Sequence, residues 1–217
     1  MNKLTPTFSS SDCSIDTVET CFQGFFQMNK LHFRHALFNG GESPLLARER
    51  FDRGPAVGVL LYDEKKDIVV LIEQFRVGAL EEPRPWIFEV VAGMIEPGET
   101  PESVAHRETL EETGGQPQEL IHMCDYLVSP GGTDEKLYLY LAKVDSDPIS
   151  GVHGLAEEGE DIKVHKISSK AAFEGVANGS INNGATVIAI QWLEIQLLKR
   201  ALGQPNQLDS PSSQGAD

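Results

Sequence analysis

The amino-acid sequence predicts an α/β fold in which a mixed β-sheet is flanked by helices. Three observations lead to this prediction. Apolar segments of strand length occur throughout the chain, and stretches with helical periodicity are interspersed among them. The two kinds of segment do not alternate strictly, which favours a mixed sheet over a purely parallel one. No internal repeat is present, so the 217 residues form one large domain, or one domain with a small appendage.

The N-terminal part of the chain reads as β structure. Between about residues 17 and 53, two strand-like segments, 21–31 and 32–39, lead into Asn39-Gly40-Gly41, a sequence typical of a turn. We therefore predict a small N-terminal β domain over residues 1–55.

The central part supplies the main sheet and its helices. Residues 56–62 and 67–75 read as a hairpin of apolar strands, and residues 86–93 read as a further strand. The remaining predicted strands are 120–129, 136–144 and 161–167, and the predicted helices are 101–113, 168–178 and 185–202. In the last helix the apolar face contains Val187, Ile190, Leu193 and Leu197. This domain spans residues 56–202, and the Gln-, Ser-, Pro- and Gly-rich residues 203–217 are predicted to be a disordered tail.

Composition excludes several classes of function. The formal net charge of −15 argues against nucleic-acid binding, because a phosphate backbone requires a surface rich in Lys and Arg. The apolar runs are too short to span a membrane, and the first residues show no apolar targeting segment, so no membrane partner is expected. Three cysteines without CxxC spacing indicate ordinary thiols and a reducing, cytoplasmic setting.

The most informative segment is residues 93–115, GMIEPGETPESVAHRETLEETGG. Thr100 and Pro101 form a typical helix start, and Gly114 a typical stop. On this helix Glu108, Glu111 and Glu112 share one stripe of the surface. Like charges at this spacing repel one another, and a hard divalent cation with oxygen ligands would offset that repulsion.

The same segment resembles the Nudix box, G-x5-E-x7-R-E-U-x-E-E-x-G-U, where U is a bulky aliphatic residue. The matching positions are Gly93, Glu99, Arg107, Glu108, Glu111, Glu112 and Gly114. Thr109 and Gly115 depart from the two aliphatic positions, and we expect both departures to affect helix packing rather than chemistry. A surface helix that is acidic by coincidence is the alternative. The resemblance implies an α/β/α sandwich and a Mg²⁺-dependent hydrolase of a nucleoside diphosphate linked to another moiety.

The resemblance also implies roles for residues of the box. Glu108 and Glu112 are the best candidates for metal ligands, and Ala92 matches the position where the family uses a backbone carbonyl as a ligand. Glu111 is either a further ligand or a group that orients Arg107, and Arg107 has a structural role like Gly93, Glu99 and Gly114. Two or three Mg²⁺ ions per site are implied, with Mn²⁺ as a substitute.

A second acidic cluster occupies residues 157–161. From composition alone, a solvated charge run is the favoured interpretation. Bacterial ADP-ribose pyrophosphatases, however, carry a similar Gly-Leu-Ala-acidic loop that delivers a general base and a metal ligand. By position, Glu158 would be the catalytic base and Glu160 the ligand; if the loop is only solvated, Glu111 would be the base.

Substrate contacts are implied outside the box. Pro130 resembles the proline that marks the ADP-ribose subfamily, although a simple Pro-Gly-Gly turn is compatible with it. Arg76 resembles a phosphate-contacting arginine, with an exposed strand-end arginine as the alternative. The positions that match other substrate contacts are Phe25, Phe26, Arg48, Glu49, Arg53, Met94, Ser129 and Glu135. Phe25 and Phe26 are alternatively core residues.

The subfamily resemblance implies hydrolysis of ADP-ribose to AMP and ribose 5-phosphate. A hydrolase of another nucleotide sugar, such as GDP-mannose, is the first alternative, and a non-catalytic module that senses ADP-ribose is the second. The N-terminal domain resembles the extra sheet with which ADP-ribose-hydrolysing members form a domain-swapped homodimer.

Overall fold

The computed structural model describes residues 4–209, apart from the side chain of Glu158. The chain divides into two compact units. The first unit extends to Gly54 and also contains Leu127–Lys136, and the second contains Pro55–Tyr126 and the chain from Leu137 onward. The predicted N-terminal domain therefore has a later segment of the chain added to it.

The first unit contains a three-stranded antiparallel sheet. Its strands are β1 (Cys13–Gln23), β2 (Gln27–His35) and β3 (Leu46–Asp52), in the order β1-β2-β3. The prediction of one strand over residues 21–31 was wrong, because the chain reverses at Gly24 between β1 and β2. The Phe22 ring lies over Gly24, where an added side chain would meet the ring at 2.8 Å and displace it.

The second unit is organised around one mixed sheet. Its strands are β4 (Ala56–Asp63), β5 (Ile68–Phe75), β6 (Trp86–Glu89), β7 (Val91–Met94), β8 (Glu119–Leu127), β9 (Lys136–Lys143), β10 (Val152–His153) and β11 (Ile162–Ser168). The main order is β10-β11-β5-β4-β9-β8, with β6 paired to β5 and β7 paired to β4. Strands β4 and β9 run parallel, whereas β4 and β5 form an antiparallel hairpin. The predicted mixed α/β fold is confirmed.

Helices pack on both faces of the sheet at β4, and every residue of this strand is buried. On one face Leu60 packs in a cluster with Ile190 and Leu193 of α3 (Gly184–Ala201), and Ala172 of α2 (Ser169–Ala177) joins it. On the other face Val59 and its neighbours pack with Val104 and Ala105 of α1 (Pro101–Thr113). Alternate residues of one strand thus point into two separate cores.

Two predicted elements differ from the structure. Residues 86–93 form two short strands rather than one, since β6 pairs with β5 and β7 pairs with β4 after Val90. The predicted tail is not disordered over residues 203–209: Leu208 is buried in the core, and Gln207 donates its backbone N–H to Gln196 of α3. One isolated leucine among polar residues gives little sequence signal for such packing. Residues 210–217 of the predicted tail lie outside the described residues.

Within residues 4–209, no helix has the length and apolar character needed to cross a membrane.

Candidate active site

Helix α1 carries the acidic stripe and has well-defined ends. The Thr100 side chain accepts a hydrogen bond from the Ser103 backbone N–H, and Gly114 ends the helix at φ 68°. This frame turns Glu112 inward, where it is only 3% exposed and its Oε2 accepts the Ala92 N–H of β7 at 3.2 Å. Glu108, one turn earlier, lies directly over Gly93, where an added methyl group would overlap its carboxylate. The glycine that opens the box therefore makes room for Glu108.

Burial of the two carboxylates makes the site electrostatically unusual. Burial, together with the charges of Glu111 and Glu160, raises the pKa of Glu108 to about 7 against the opposing effect of Arg107. Burial also raises the pKa of Glu112 well above its ordinary value, and the charges of Glu108 and Glu160 add to the shift. Both effects reflect the same cost, which is the concentration of negative charge in a place with little water.

Arg107 holds three of the box glutamates. Its Nε donates to Glu99 at 3.1 Å, and its Nη1 donates to Glu108 at 2.6 Å and to Glu111 at 3.2 Å. Its Nη2 also reaches the Met94 carbonyl at 3.5 Å. A planar guanidinium with five donors suits this branching arrangement, which fixes the loop before the helix to the helix itself.

The second acidic cluster lies in a loop with two glycines in left-handed conformation, Gly154 at φ 105° and Gly159 at φ 72°. The Glu160 carboxylate accepts the backbone N–H of Leu155 at 3.0 Å and so bonds within its own loop. Its charge nevertheless reaches Glu108 and Glu112, so the loop lies beside the buried carboxylates. The side chain of Glu158 lies outside the described residues.

The donor set suits a divalent cation, although its members are turned to other partners. No group of three or more His, Cys, Asp or Glu side chains within residues 4–209 is arranged to hold a metal ion. Glu108 is drawn to Arg107, and Glu160 is bonded to Leu155. Buried carboxylate oxygens that repel one another are the ligands that Mg²⁺ prefers, and a bound cation would remove the repulsion. The chemistry of these residues therefore fits a bound divalent cation.

Arg76 directly follows β5, and its charge acts on one of these carboxylates. It opposes the raised pKa of Glu112. Arg76 Nε donates to Glu89 at 2.7 Å, and Asn183 Nδ2 donates to the other oxygen of Glu89 at 2.8 Å. The sequence patterns did not predict roles for Glu89 and Asn183. The signals available were a carboxylate inside the apolar run WIFEVVAG and an asparagine at a helix start.

Three of the predicted contacts in the first unit, Phe26, Arg53 and Glu135, form a cluster. The Arg53 guanidinium lies over the Phe26 ring at 5.1 Å and donates to Glu135 at 2.7 Å. Phe25 is 88% exposed, so the alternative that it belongs to a core does not hold. Ser129 is exposed in the turn that contains Pro130, and its carbonyl accepts two backbone N–H groups. Arg48 and Glu49 are exposed on β3 and are not part of the Arg53 cluster.

Both departures from the box pattern have a packing explanation. The Thr109 side chain is fully buried and donates its hydroxyl to the Ala105 carbonyl at 2.7 Å. At Gly115 a side chain would meet Ile149 at 2.7 Å, because Ile149 fills the space that an aliphatic residue would occupy.

The comparisons with known proteins agree with this fold. The NUDIX domain family model matches residues 52–208, which is more than half of the chain, so the chain belongs to the Nudix family. It is 44% identical to the ADP-ribose pyrophosphatase of Haemophilus influenzae over 192 residues, covering 87% of this chain and 88% of that protein. It is 45% identical to the ADP-ribose pyrophosphatase of Escherichia coli K12 over 195 residues, covering 89% and 93%.

More distant similarities extend the comparison. A GDP-mannose pyrophosphatase of Enterobacter is 35% identical over 150 residues, covering 68% of this chain and 78% of that protein. A solved structure described as that of an ADP compounds hydrolase has a TM-score of 0.67 at 20% identity, covering 92% of this chain and all of that one (100%). At this level of identity the structural likeness shows the fold alone.

Proposed function

We propose that this chain is an ADP-ribose pyrophosphatase, which hydrolyses ADP-ribose to AMP and ribose 5-phosphate with Mg²⁺. The observation that carries the proposal is a pair of carboxylates set against β7, the buried Glu112 and the half-buried Glu108, in a Nudix box whose seven fixed positions are all matched. The choice of ADP-ribose is supported by the 44% and 45% identity to curated ADP-ribose pyrophosphatases.

The chemistry requires water to attack a phosphorus atom that is surrounded by negative oxygens. Glu108, Glu112, Glu160 and the Ala92 carbonyl would hold the metal, with Glu111 as a further ligand or as a group that orients Arg107. When bound, Mg²⁺ neutralises phosphate oxygens and acidifies a water molecule. Two or three ions would be held, and Mn²⁺ would substitute for Mg²⁺.

The other residues bind and orient the substrate. Arg76 would bind the diphosphate, as a guanidinium suits phosphate oxygens. Met94, at the end of β7, would contact the substrate next to the carboxylates. Glu158 would accept the proton of the attacking water, and a loop is a suitable support for a base that acts only once the substrate is bound.

The proposal includes a domain-swapped homodimer in the cytoplasm. Strand β1 forms an edge of its sheet, and Ile15 and Val18 are 59% and 54% exposed. Their partners Phe33 and Leu31 are two residues apart on β2, so the apolar side chains share one face of the sheet. Such a face and edge favour a partner of the same kind. The adenine and ribose contacts, which we assign to Phe25, Phe26, Arg48, Glu49 and Arg53, would come partly from the partner copy. Ser129 and Glu135 would make further substrate contacts across the dimer.

The test is a substrate panel with purified full-length protein. We expect kcat/KM for ADP-ribose to exceed that for GDP-mannose and other nucleotide sugars, and EDTA to abolish turnover. A preference for GDP-mannose would favour the alternative activity, which the 35% identical Enterobacter relative represents. Binding of ADP-ribose without turnover at saturating Mg²⁺ would favour the sensing module. Light scattering of the same sample measures the oligomeric state.

A further inference from the structure

Glu89 is a buried carboxylate whose two oxygens have different partners. It ends β6, is 6% exposed, and accepts Arg76 Nε on Oε2 at 2.7 Å and Asn183 Nδ2 on Oε1 at 2.8 Å. A buried carboxylate is costly unless it is paired and hydrogen-bonded. Glu89 meets this condition only through the combination of one cationic and one neutral donor.

Asn183 is itself fixed by the start of α3. As the N-cap, its Oδ1 accepts the backbone N–H and the hydroxyl of Thr186, both at 3.2 Å. The Thr186 hydroxyl oxygen accepts the Val90 N–H at 2.9 Å, which ties the helix start to the residue after Glu89. The helix start, the strand end and the carboxylate therefore form one connected network, and its outermost member is Arg76.

The ion pair between Glu89 and Arg76 uses only one of the three guanidinium nitrogens. The ion pair uses Nε, on the side of the guanidinium, and among the described residues no hydrogen bond to either terminal nitrogen is found. The Arg76 side chain is 43% exposed, and its charge reaches Glu112. Glu89 thus holds the guanidinium through Nε and leaves the two terminal amino groups of this partly exposed side chain available to a ligand.

We propose that Glu89 and Asn183 are positioning residues, which hold the Arg76 guanidinium in the orientation that binds the substrate diphosphate. The inference rests on the proposed function and adds to it the means by which the phosphate-binding arginine is oriented. Without Glu89 the long arginine side chain would have to be ordered by the substrate, and the entropy of that ordering would weaken binding.

The hydrogen-bond pattern gives this proposal a specific signature. Glutamate offers an acceptor to both neighbours, whereas the amide introduced by Glu89→Gln has one acceptor oxygen for two donors. Asn183→Asp leaves the helix cap in place but removes the donor to Glu89 and brings two carboxylates together. In the double variant, the introduced glutamine can accept from Arg76 and donate to the introduced aspartate, so that every hydrogen bond is restored.

The experiment measures the dissociation constant of ADP-ribose in EDTA by calorimetry, together with kcat, KM and the melting temperature. We expect each single variant to bind ADP-ribose about tenfold more weakly, and the double variant to recover to within about threefold of wild type. In an Arg76→Ala background, Glu89→Gln should produce no further loss of affinity for ADP-ribose. Glu64→Gln is the matched control, because Glu64 pairs with Arg200 at 2.6 Å in a different part of the same unit.

The outcomes distinguish failure of the positioning role of Glu89 and Asn183 from failure of the proposed hydrolase function. Wild-type protein that hydrolyses ADP-ribose while both single variants bind it normally would overturn the positioning role alone. The same holds if Glu89→Gln weakens binding equally with and without Arg76, or if only the melting temperature changes. If Glu89→Gln does not fold, Asn183→Asp and the double variant carry the comparison. Wild-type protein that neither binds nor hydrolyses ADP-ribose would overturn the proposed function and this inference with it.

Discussion

Replacement of Glu112 by glutamine tests the acidic stripe most sharply, since it changes one oxygen to an amide nitrogen at a residue only 3% exposed. The amide oxygen can still accept the Ala92 N–H, so the fold should be retained. As a metal ligand, however, the neutral amide is much weaker than the carboxylate. Loss of the ligand should raise the reaction barrier by several kcal/mol. This corresponds to a decrease in kcat of about a thousandfold or more.

The same change should stabilise the metal-free protein. The pKa of Glu112 is higher in the folded state than in the unfolded state, so the folded state binds a proton more tightly. The stability of the fold therefore decreases as the pH rises from the unfolded pKa toward the folded one. The penalty is absent below the ordinary glutamate pKa of 4.5 and is present once the buried group is ionised. Relief of about 1–3 kcal/mol corresponds to a rise in Tm of about 2–10 °C at pH 8 in EDTA. The rise should vanish near pH 4.5.

Steady-state kinetics with ADP-ribose and calorimetric melting in EDTA measure the two effects. The control is Glu174→Gln, since Glu174 lies on α2 and pairs only weakly with Lys170 at 3.8 Å. This variant should change neither kcat nor Tm appreciably. A Glu112→Gln protein within tenfold of wild-type kcat at saturating Mg²⁺ would refute the ligand assignment. A lower Tm in EDTA at pH 8 would refute the electrostatic reasoning.

Three further predictions follow from other parts of the chain. Deletion of residues 1–50 should give an insoluble or inactive protein, and a soluble, monomeric and fully active product would show that the dimer proposal is wrong. Glu158→Gln should depress kcat with little change in KM or Mg²⁺ requirement, and Glu160→Gln should shift activation to higher Mg²⁺; near-normal kinetics in both would favour a solvated loop. Burial raises the pKa of Asp63, but hydrogen bonds from Ser146 and from the backbone together outweigh it and lower the pKa to about 2. The ionised Asp63 therefore stabilises the fold by about 2 kcal/mol above its unfolded pKa of 3.8, and this stabilisation is lost as the pH falls toward 2. In denaturant melts, Asp63→Asn should match the stability of the wild type only in strong acid.

Much of the second unit could be predicted because its local signals agree with one another. The helix over residues 101–113 was predicted with the bounds that the structure gives, since the cap at Thr100 and the glycine stop at Gly114 are both explicit in the sequence. Strands β4 and β5 are continuous apolar runs separated by a polar turn. The acidic stripe follows from helical spacing alone.

The features that were missed depend on contacts distant in sequence. The connection between Glu89 and Asn183 spans 94 positions, and no local pattern indicates it. Leu208 is a single apolar residue in a polar segment, and its burial depends on the surface that α3 provides. The break at Val90 separates residues that pair with β5 from residues that pair with β4, and the apolar run itself does not indicate this change of partner. The roles of the loop glutamates depend on a bound substrate and remain predictions.

The most direct test of the central claim is product analysis of ADP-ribose incubated with wild-type protein and with Glu112→Gln at saturating Mg²⁺. We predict that phosphorus NMR will show AMP and ribose 5-phosphate in equal amounts with the wild type, and about a thousandfold slower formation of both with the variant. Intact ADP-ribose after incubation with the wild type, or equal product formation by the two proteins, would contradict the assignment of this reaction to the box carboxylates.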